Sequence, residues 1–145
     1  MASLVWIFPA VICFLFWGLW GFIPKFISTE NVSPYAFLLC ECIGSFLVGV
    51  ILLVGMKFQV DIDMKTGLIA VLAGVCGMLG VLAYYMAVSK GPFGLIAVAT
   101  ALYPILSIGL AYAFLGSKIN VQQGIGIVLA LVAIGLISSG AEDAH

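Results

Sequence analysis

Five uninterrupted apolar runs, each close to the length of a bilayer crossing, take up most of this chain. They cover about Leu4 to Ile23, Pro34 to Val54, Gly67 to Val88, Pro92 to Leu115 and Val121 to Ser139. At a rise of about 1.5 Å per residue, a helix needs about 20 apolar residues to cross the hydrocarbon of a membrane. Strands of a membrane barrel would alternate apolar with polar residues, and these runs do not. Composition agrees: hydrophobic residues make up 65% and charged residues 8%, against about 25% charged in soluble domains. The sequence predicts an all-α membrane protein, a five-transmembrane-helix bundle with the lipid bilayer as its main partner.

The gaps between the runs carry helix punctuation. Ser33 stands at an N-cap position before Pro34, whose missing N–H costs nothing in a first turn. Pro92 takes the same part for the fourth run. Asn120 followed by Gln123 has the spacing of a capping box. Gly55, Gly116 and Gly140 stand where C-terminal caps are expected. The longest gap is about Met56 to Thr66, too short for a soluble active site. One domain, residues 3–140, is expected, followed by a short acidic tail, 141–145. No basic stretch precedes the first run and no small-residue cleavage site follows it, so that run reads as a permanent helix.

Nearly every charge falls in the gaps. Lys57, Lys65 and Lys118 lie on the side of the N-terminus, and Lys25 and Lys90 on the other. Lysine excess marks the cytoplasmic side, so three against two leans toward an N-terminus inside and a C-terminus outside, with a bias small enough for insertion in both orientations; the expected location is the cytoplasmic (plasma) membrane. The net charge of −1 offers no basic face for nucleic acid. Cys13, Cys40, Cys42 and Cys76 lie inside apolar runs, and Cys40 and Cys42 point in nearly opposite directions on a helix. No phosphate-binding loop, metal-ligand set or nucleophile triad is present, so neither a cofactor nor an enzyme activity is expected.

Glu41 stands out. It lies seven residues past Pro34, about 10 Å into the second helix. A carboxylate at that depth is costly unless it is protonated, paired or wetted. It is therefore a candidate proton-coupling group, with Lys25, at the same membrane side, as a candidate partner. The plainer alternative is a Glu that reaches interfacial water while Lys25 snorkels. Three stripes of small or weakly polar residues follow one helix face each: Glu41, Gly44, Ser45, Val48 and Gly49; Ala73, Gly77, Gly80, Tyr84 and Ala87; Ala97, Thr100, Pro104, Ser107 and Ala111. Membrane helices pack through such residues, and Gly77, Gly80 and Gly126 are assigned to packing. Pro104 lies mid-run and leaves the Thr100 carbonyl without its helical donor. Kinked helices often line substrate sites, so Trp17, Trp20, Tyr84, Thr100, Tyr103, Pro104 and Ser107 are the substrate-cavity candidates.

The stretch FWGLWGFIPKF at positions 16–26, then SPYAF, resembles the opening of EamA-like proteins of the drug/metabolite transporter superfamily. The closing part, from YYMAVSKGPFGLIAVATALYP through QQGIGIVLALVAIGLISS, resembles the end of the same domain more specifically. The likeness runs in order along nearly the whole chain and matches a half-size version of the usual ten-helix transporter. The chain departs from the family's pattern at Ser117, where an acidic residue often follows the glycine, and at Glu41, near which many members have an arginine. The resemblance implies a subunit that moves a small metabolite or drug-like solute by secondary, proton-coupled, alternating access. Ten-helix members pair two five-helix repeats of opposite orientation, with the site between them. A five-helix unit therefore implies an antiparallel homodimer, or a heterodimer with an oppositely oriented homologue. Rival readings are a small-multidrug-resistance efflux protein, which has four helices and a carboxylate in the first, and a non-transporting scaffold subunit.

Overall fold

A computed structural model describes residues 6–29 and 31–142. The predicted start of the first helix at Leu4, the charge of Glu30, and residues 143–145 of the acidic tail, with His145, lie outside the described residues. The chain is all-α, and no strand forms among the described residues. Contacts group it into two compact units, Met1–Gly91 and Pro92–His145. The first holds α1 (Ile7–Phe22), α2 (Lys25–Thr29), α3 (Pro34–Gly55) and α4 (Met64–Val88). The second holds α5 (Phe93–Thr100), α6 (Tyr103–Leu115) and α7 (Val121–Glu142). Among the described residues, four segments are long and apolar enough to cross a membrane: Ile7–Ile27, Pro34–Gly55, Met64–Val88 and Phe93–Leu115. Val121–Ile137 is a shorter apolar helix that fills the fifth place.

In the first unit, Pro24 ends α1. It has no N–H to offer the Trp20 carbonyl, so the last helical bond runs from the N–H of Ile23 to Leu19 at 3.1 Å. The short α2 then resumes with the N–H of Ile27 on the Pro24 carbonyl at 2.9 Å. Ser33 occupies the N-cap position of α3 with extended backbone, but its side chain makes no cap bond. α4 begins three residues earlier than predicted, because Asp63 caps it. Its Oδ2 accepts the Thr66 N–H at 3.0 Å and its Oδ1 the Thr66 hydroxyl at 2.7 Å. These bonds hold the exposed Asp63 carboxyl below its ordinary pKa of 3.8.

Gly55 does not take the left-handed position expected of it. The helix runs through Gly55, and Lys57 takes that place with φ 54°, followed by Phe58 at 60°. The N–H of Phe58 reaches Leu53 and that of Lys57 reaches Val54, both at 2.9 Å, the paired bonds of a Schellman stop. A lysine tolerates the conformation here because these two bonds satisfy carbonyls the helix end would otherwise leave open.

In the second unit, the predicted fourth helix is broken into α5 and α6 at Ala101–Leu102. The Thr100 hydroxyl turns back onto the carbonyls of Ile96 and Ala97, at 2.8 and 3.1 Å. Pro104 stands in the first turn of α6, where its missing N–H is harmless. Gly116 ends α6 with φ 64°, the left-handed stop predicted for it. Asn120 and Gln123 form the reciprocal box: the Gln123 N–H donates to Asn120 Oδ1 at 2.8 Å, and the Asn120 N–H to Gln123 Oε1 at 3.0 Å. α7 continues through Gly140, so that glycine does not end the helix.

Large apolar side chains cover the outside, among them Phe14, Phe46, Ile51, Leu72, Phe114 and Leu136, each more than 60% exposed within the chain. A surface of that kind requires lipid or other helices around it. The tightly packed part of the first unit is small: Pro24, Ile27, Tyr84, Tyr85 and Val88, where α2 and α4 meet. A Cβ built at Gly77, Gly80 or Gly126 meets nothing within 4 Å.

Candidate functional site

The buried end of the first unit is also where its polar chemistry gathers. The end of α1, the start of α3 and the end of α4 lie at one level, and each sends an aromatic or acidic side chain inward. Trp20 comes from the last turns of α1, Phe37 and Glu41 from the first turns of α3, and Tyr84 and Tyr85 from the last turn of α4.

Glu41 is held by two neutral donors. The indole N–H of Trp20 donates to Oε1 at 2.7 Å, and the phenol of Tyr85 donates to Oε2 at 2.5 Å. Neither bond involves Lys25, which opens α2. Tyr84 turns the other way and donates to the carbonyl of Gly21 at 3.0 Å. Gly21 lies in the last turn of α1, where carbonyls lose their helical donors. Tyr84 therefore closes the end of one helix while its neighbour Tyr85 fixes the acid of another.

The rings lock one another. Trp20 stacks on Tyr84 with centroids 5.7 Å apart, and Tyr84 and Tyr85 lie 6.0 Å apart. Phe37 meets Tyr85 edge to face at 5.0 Å. Such pairs add about 0.5–1.5 kcal/mol beyond area burial, so the donors are set before any ligand arrives. Tyr85 is 1% exposed, while Trp20 is 37% exposed. Beside them lies a cavity of about 240 Å³ lined by Trp20, Ile23, Phe37, Cys40, Glu41 and Tyr85. A larger groove of about 400 Å³ between α3 and α4 has only apolar lining, from Leu38, Val71, Gly74, Val75, Met78, Leu79 and Leu82. Both cavities present apolar surface, and the smaller one is singled out because the hydrogen-bonded Glu41 stands in its wall.

Of the residues singled out from sequence, Trp20, Glu41 and Tyr84 are brought together here. Trp17 is exposed on α1 and outside the cavity lining. Thr100, Tyr103, Pro104 and Ser107 lie in the second unit, around the α5–α6 break, where the Ser107 hydroxyl donates to the Tyr103 carbonyl at 3.3 Å. Sequence reasoning missed Tyr85 and Phe37. The available signal was level: Tyr85 stands three residues before the end of α4, and Phe37 one turn before Glu41 on α3. No group of three metal-ligating side chains forms among the described residues.

Comparison with known proteins agrees with this architecture. The model of the EamA-like transporter family matches residues 4–139. An uncharacterized protein of Methanocaldococcus jannaschii is 27% identical over 124 residues, 86% of this chain and 89% of its own length. No solved structure matches the chain. Family members are transporters rather than enzymes. With helices of membrane length, a lipid-facing exterior and a family match along nearly all of its sequence, this integral multi-pass membrane protein belongs to the EamA-like transporter family.

Proposed function

We propose that this chain is a subunit of a secondary transporter that moves a small metabolite or drug-like solute by alternating access, with Glu41 as the group that takes up and releases a proton. The observation that carries the reading is the setting of Glu41. It is a carboxylate inside a membrane-length helix, bonded by Trp20 and Tyr85, at the edge of a cavity with otherwise apolar walls. A charge kept in such a place is costly, and ionisable groups inside membrane segments mark ion and substrate pathways. The other titratable groups around Glu41 are Tyr84 and Tyr85 from α4 and Cys40 from α3.

The break between α5 and α6, within the second unit, is a separate candidate for substrate contact. Thr100, Tyr103, Pro104 and Ser107 surround an interruption of a membrane-length segment, the kind of place where transporters expose backbone to substrate. The open surfaces at Gly77, Gly80 and Gly126 suit close approach by another helix. Together with the small lysine bias, they favour an oppositely oriented partner, either a second copy or a homologue.

The test is flux. Purified protein in liposomes is given a panel of metabolites with and without an imposed pH gradient. Uptake that follows the gradient in the native protein and loses that dependence in Glu41→Gln supports the proposal. Equal gradient dependence in both rejects the role of Glu41, and no flux of any solute favours a non-transporting assembly subunit.

A further inference from the structure

Residues 56–65, MKFQVDIDMK, alternate apolar and polar side chains without a break. Successive side chains of extended backbone point to opposite sides, so this is the pattern of an extended chain with one dry face and one wet face. Residues 59–63 lie outside any helix, and Asp63 has extended backbone. The apolar members, Met56, Phe58, Val60, Ile62 and Met64, are between 48% and 79% exposed, so the chain itself leaves this face largely uncovered. The segment joins α3 to α4, both of membrane length, and therefore stands at the bilayer surface. It also has more reach than the crossing needs. Five extended residues span about 16 Å, whereas helices that pack together, as α3 and α4 do, lie about 8–10 Å apart.

The turn that opens the segment points the same way. Lys57 and Phe58 both have positive φ, 54° and 60°, with the Gln59 N–H on the Met56 carbonyl at 3.0 Å. Asparagine and glycine usually fill such paired positions, because a Cβ disfavours them. The helix-ending bonds account for Lys57, but the ring of Phe58 gains little cover from the chain. What it can gain at the bilayer surface is contact with lipid. Among the described residues, the backbone of Val60, Asp61 and Ile62 makes no hydrogen bond. Unpaired backbone cannot sink into hydrocarbon, which keeps the segment at headgroup depth. Lys57 and Lys65 balance Asp61 and Asp63, so attraction to anionic lipid is not what holds it there. A second copy is the weaker occupant. A lone two-stranded ribbon is marginal in stability, and the oppositely oriented partner proposed above carries its own segment on the other side of the membrane.

We propose that residues 58–63 form an extended strap in the membrane interface, with Phe58, Val60 and Ile62 turned into the lipid and Gln59 and Asp61 turned to water. Asp63 stays committed to its cap on α4. The proposal needs only that α3 and α4 cross a membrane, so it stands apart from the transport reading and from the role of Glu41.

Nitroxide spin labels placed one at a time at Phe58, Gln59, Val60, Asp61 and Ile62 test it in phosphatidylcholine liposomes. The background is the full chain with Cys13→Ala, Cys40→Ala, Cys42→Ala and Cys76→Ala and its helical circular dichroism intact. The readout is collision with oxygen, which concentrates in lipid, relative to collision with a water-soluble nickel chelate. That ratio is expected to alternate, at least threefold higher at 58, 60 and 62 than at 59 and 61, and to keep the pattern when anionic lipid is added. A ratio that is uniform along the segment overturns the proposal. Spin–spin broadening between copies overturns it too, and would assign the segment to a second protomer. A second measurement keeps the native cysteines: photoreactive benzoylphenylalanine at position 60 or 61 of the otherwise unaltered chain. Lipid adducts are expected at least fivefold more often from 60 than from 61. Equal yields, or adducts to a second copy, overturn the proposal whether or not the cysteine-free chain folds.

Discussion

The phenol of Tyr85 donates to Oε2 of Glu41 across 44 positions of sequence, tying the end of α4 to the start of α3. With the indole of Trp20 on the other oxygen, it turns a lone intramembrane acid into an ordered site. Family membership says that the chain belongs among transporters; this bond says where in the chain to look for chemistry.

Removing the acid should remove coupling. In Glu41→Gln, the amide keeps size and shape but cannot exchange a proton. Gradient-driven uptake is expected to fall at least tenfold, with helical content unchanged, as measured by flux in liposomes and by circular dichroism.

The Tyr85–Glu41 bond should be measurable as a coupling energy. Hydrogen bonds to charged groups contribute about 1.5–3 kcal/mol. A double-mutant cycle of Tyr85→Phe and Glu41→Gln, read by unfolding in detergent, is expected to give a coupling in or just below that range. A coupling near zero would mean that the phenol contributes packing alone.

Asp63 should give α4 a pH-dependent cap. Its carboxyl titrates lower in the folded state than the ordinary 3.8 because Thr66 bonds the charged form. A lowered pKa means that the charged cap adds stability above the unfolded value and loses it as pH falls through the folded one. Native protein is therefore expected to lose melting temperature below about pH 4. Asp63→Asn can still cap but does not titrate, so it should show a smaller acid-side loss from this helix end. The check is a pair of melting curves across pH.

Pro104→Ala should repair the α5–α6 break. The new N–H can donate to the Thr100 carbonyl. Amide exchange at residues 101–105 is expected to slow about tenfold or more, and flux to fall. Hydrogen exchange by mass spectrometry reads the first effect directly.

If protomers pair in opposite orientations, a C-terminal tag should be labelled from both sides of the membrane by an impermeant reagent. Labelling from one side alone would exclude the homodimer and leave the oppositely oriented homologue.

Much of this protein was legible in its sequence, because the governing physics is local. The cost of placing a residue in hydrocarbon sums along the chain, so the runs that became α1, α3 and α4 announced themselves as apolar helices of membrane length. Gly116 and the Asn120–Gln123 pair acted as predicted, since a cap needs only its own turn. The misses were also local, but they were competitions. Asp63 capped α4 ahead of its expected start, and Lys57 took the left-handed place expected of Gly55; the kink expected at Pro104 became, with the Thr100 back-bonds, a full break between α5 and α6. The partners of Glu41 were of another kind. Lys25 was the natural candidate from membrane level alone, whereas Trp20 and Tyr85 hold the acid because α1 and α4 turn those faces toward α3. Helix rotation and crossing are set by packing between segments distant in sequence, which no local sum of transfer energies encodes. That is why the sequence alone determined that the chain crosses a membrane, and only the tertiary structure decided which side chains surround its acid.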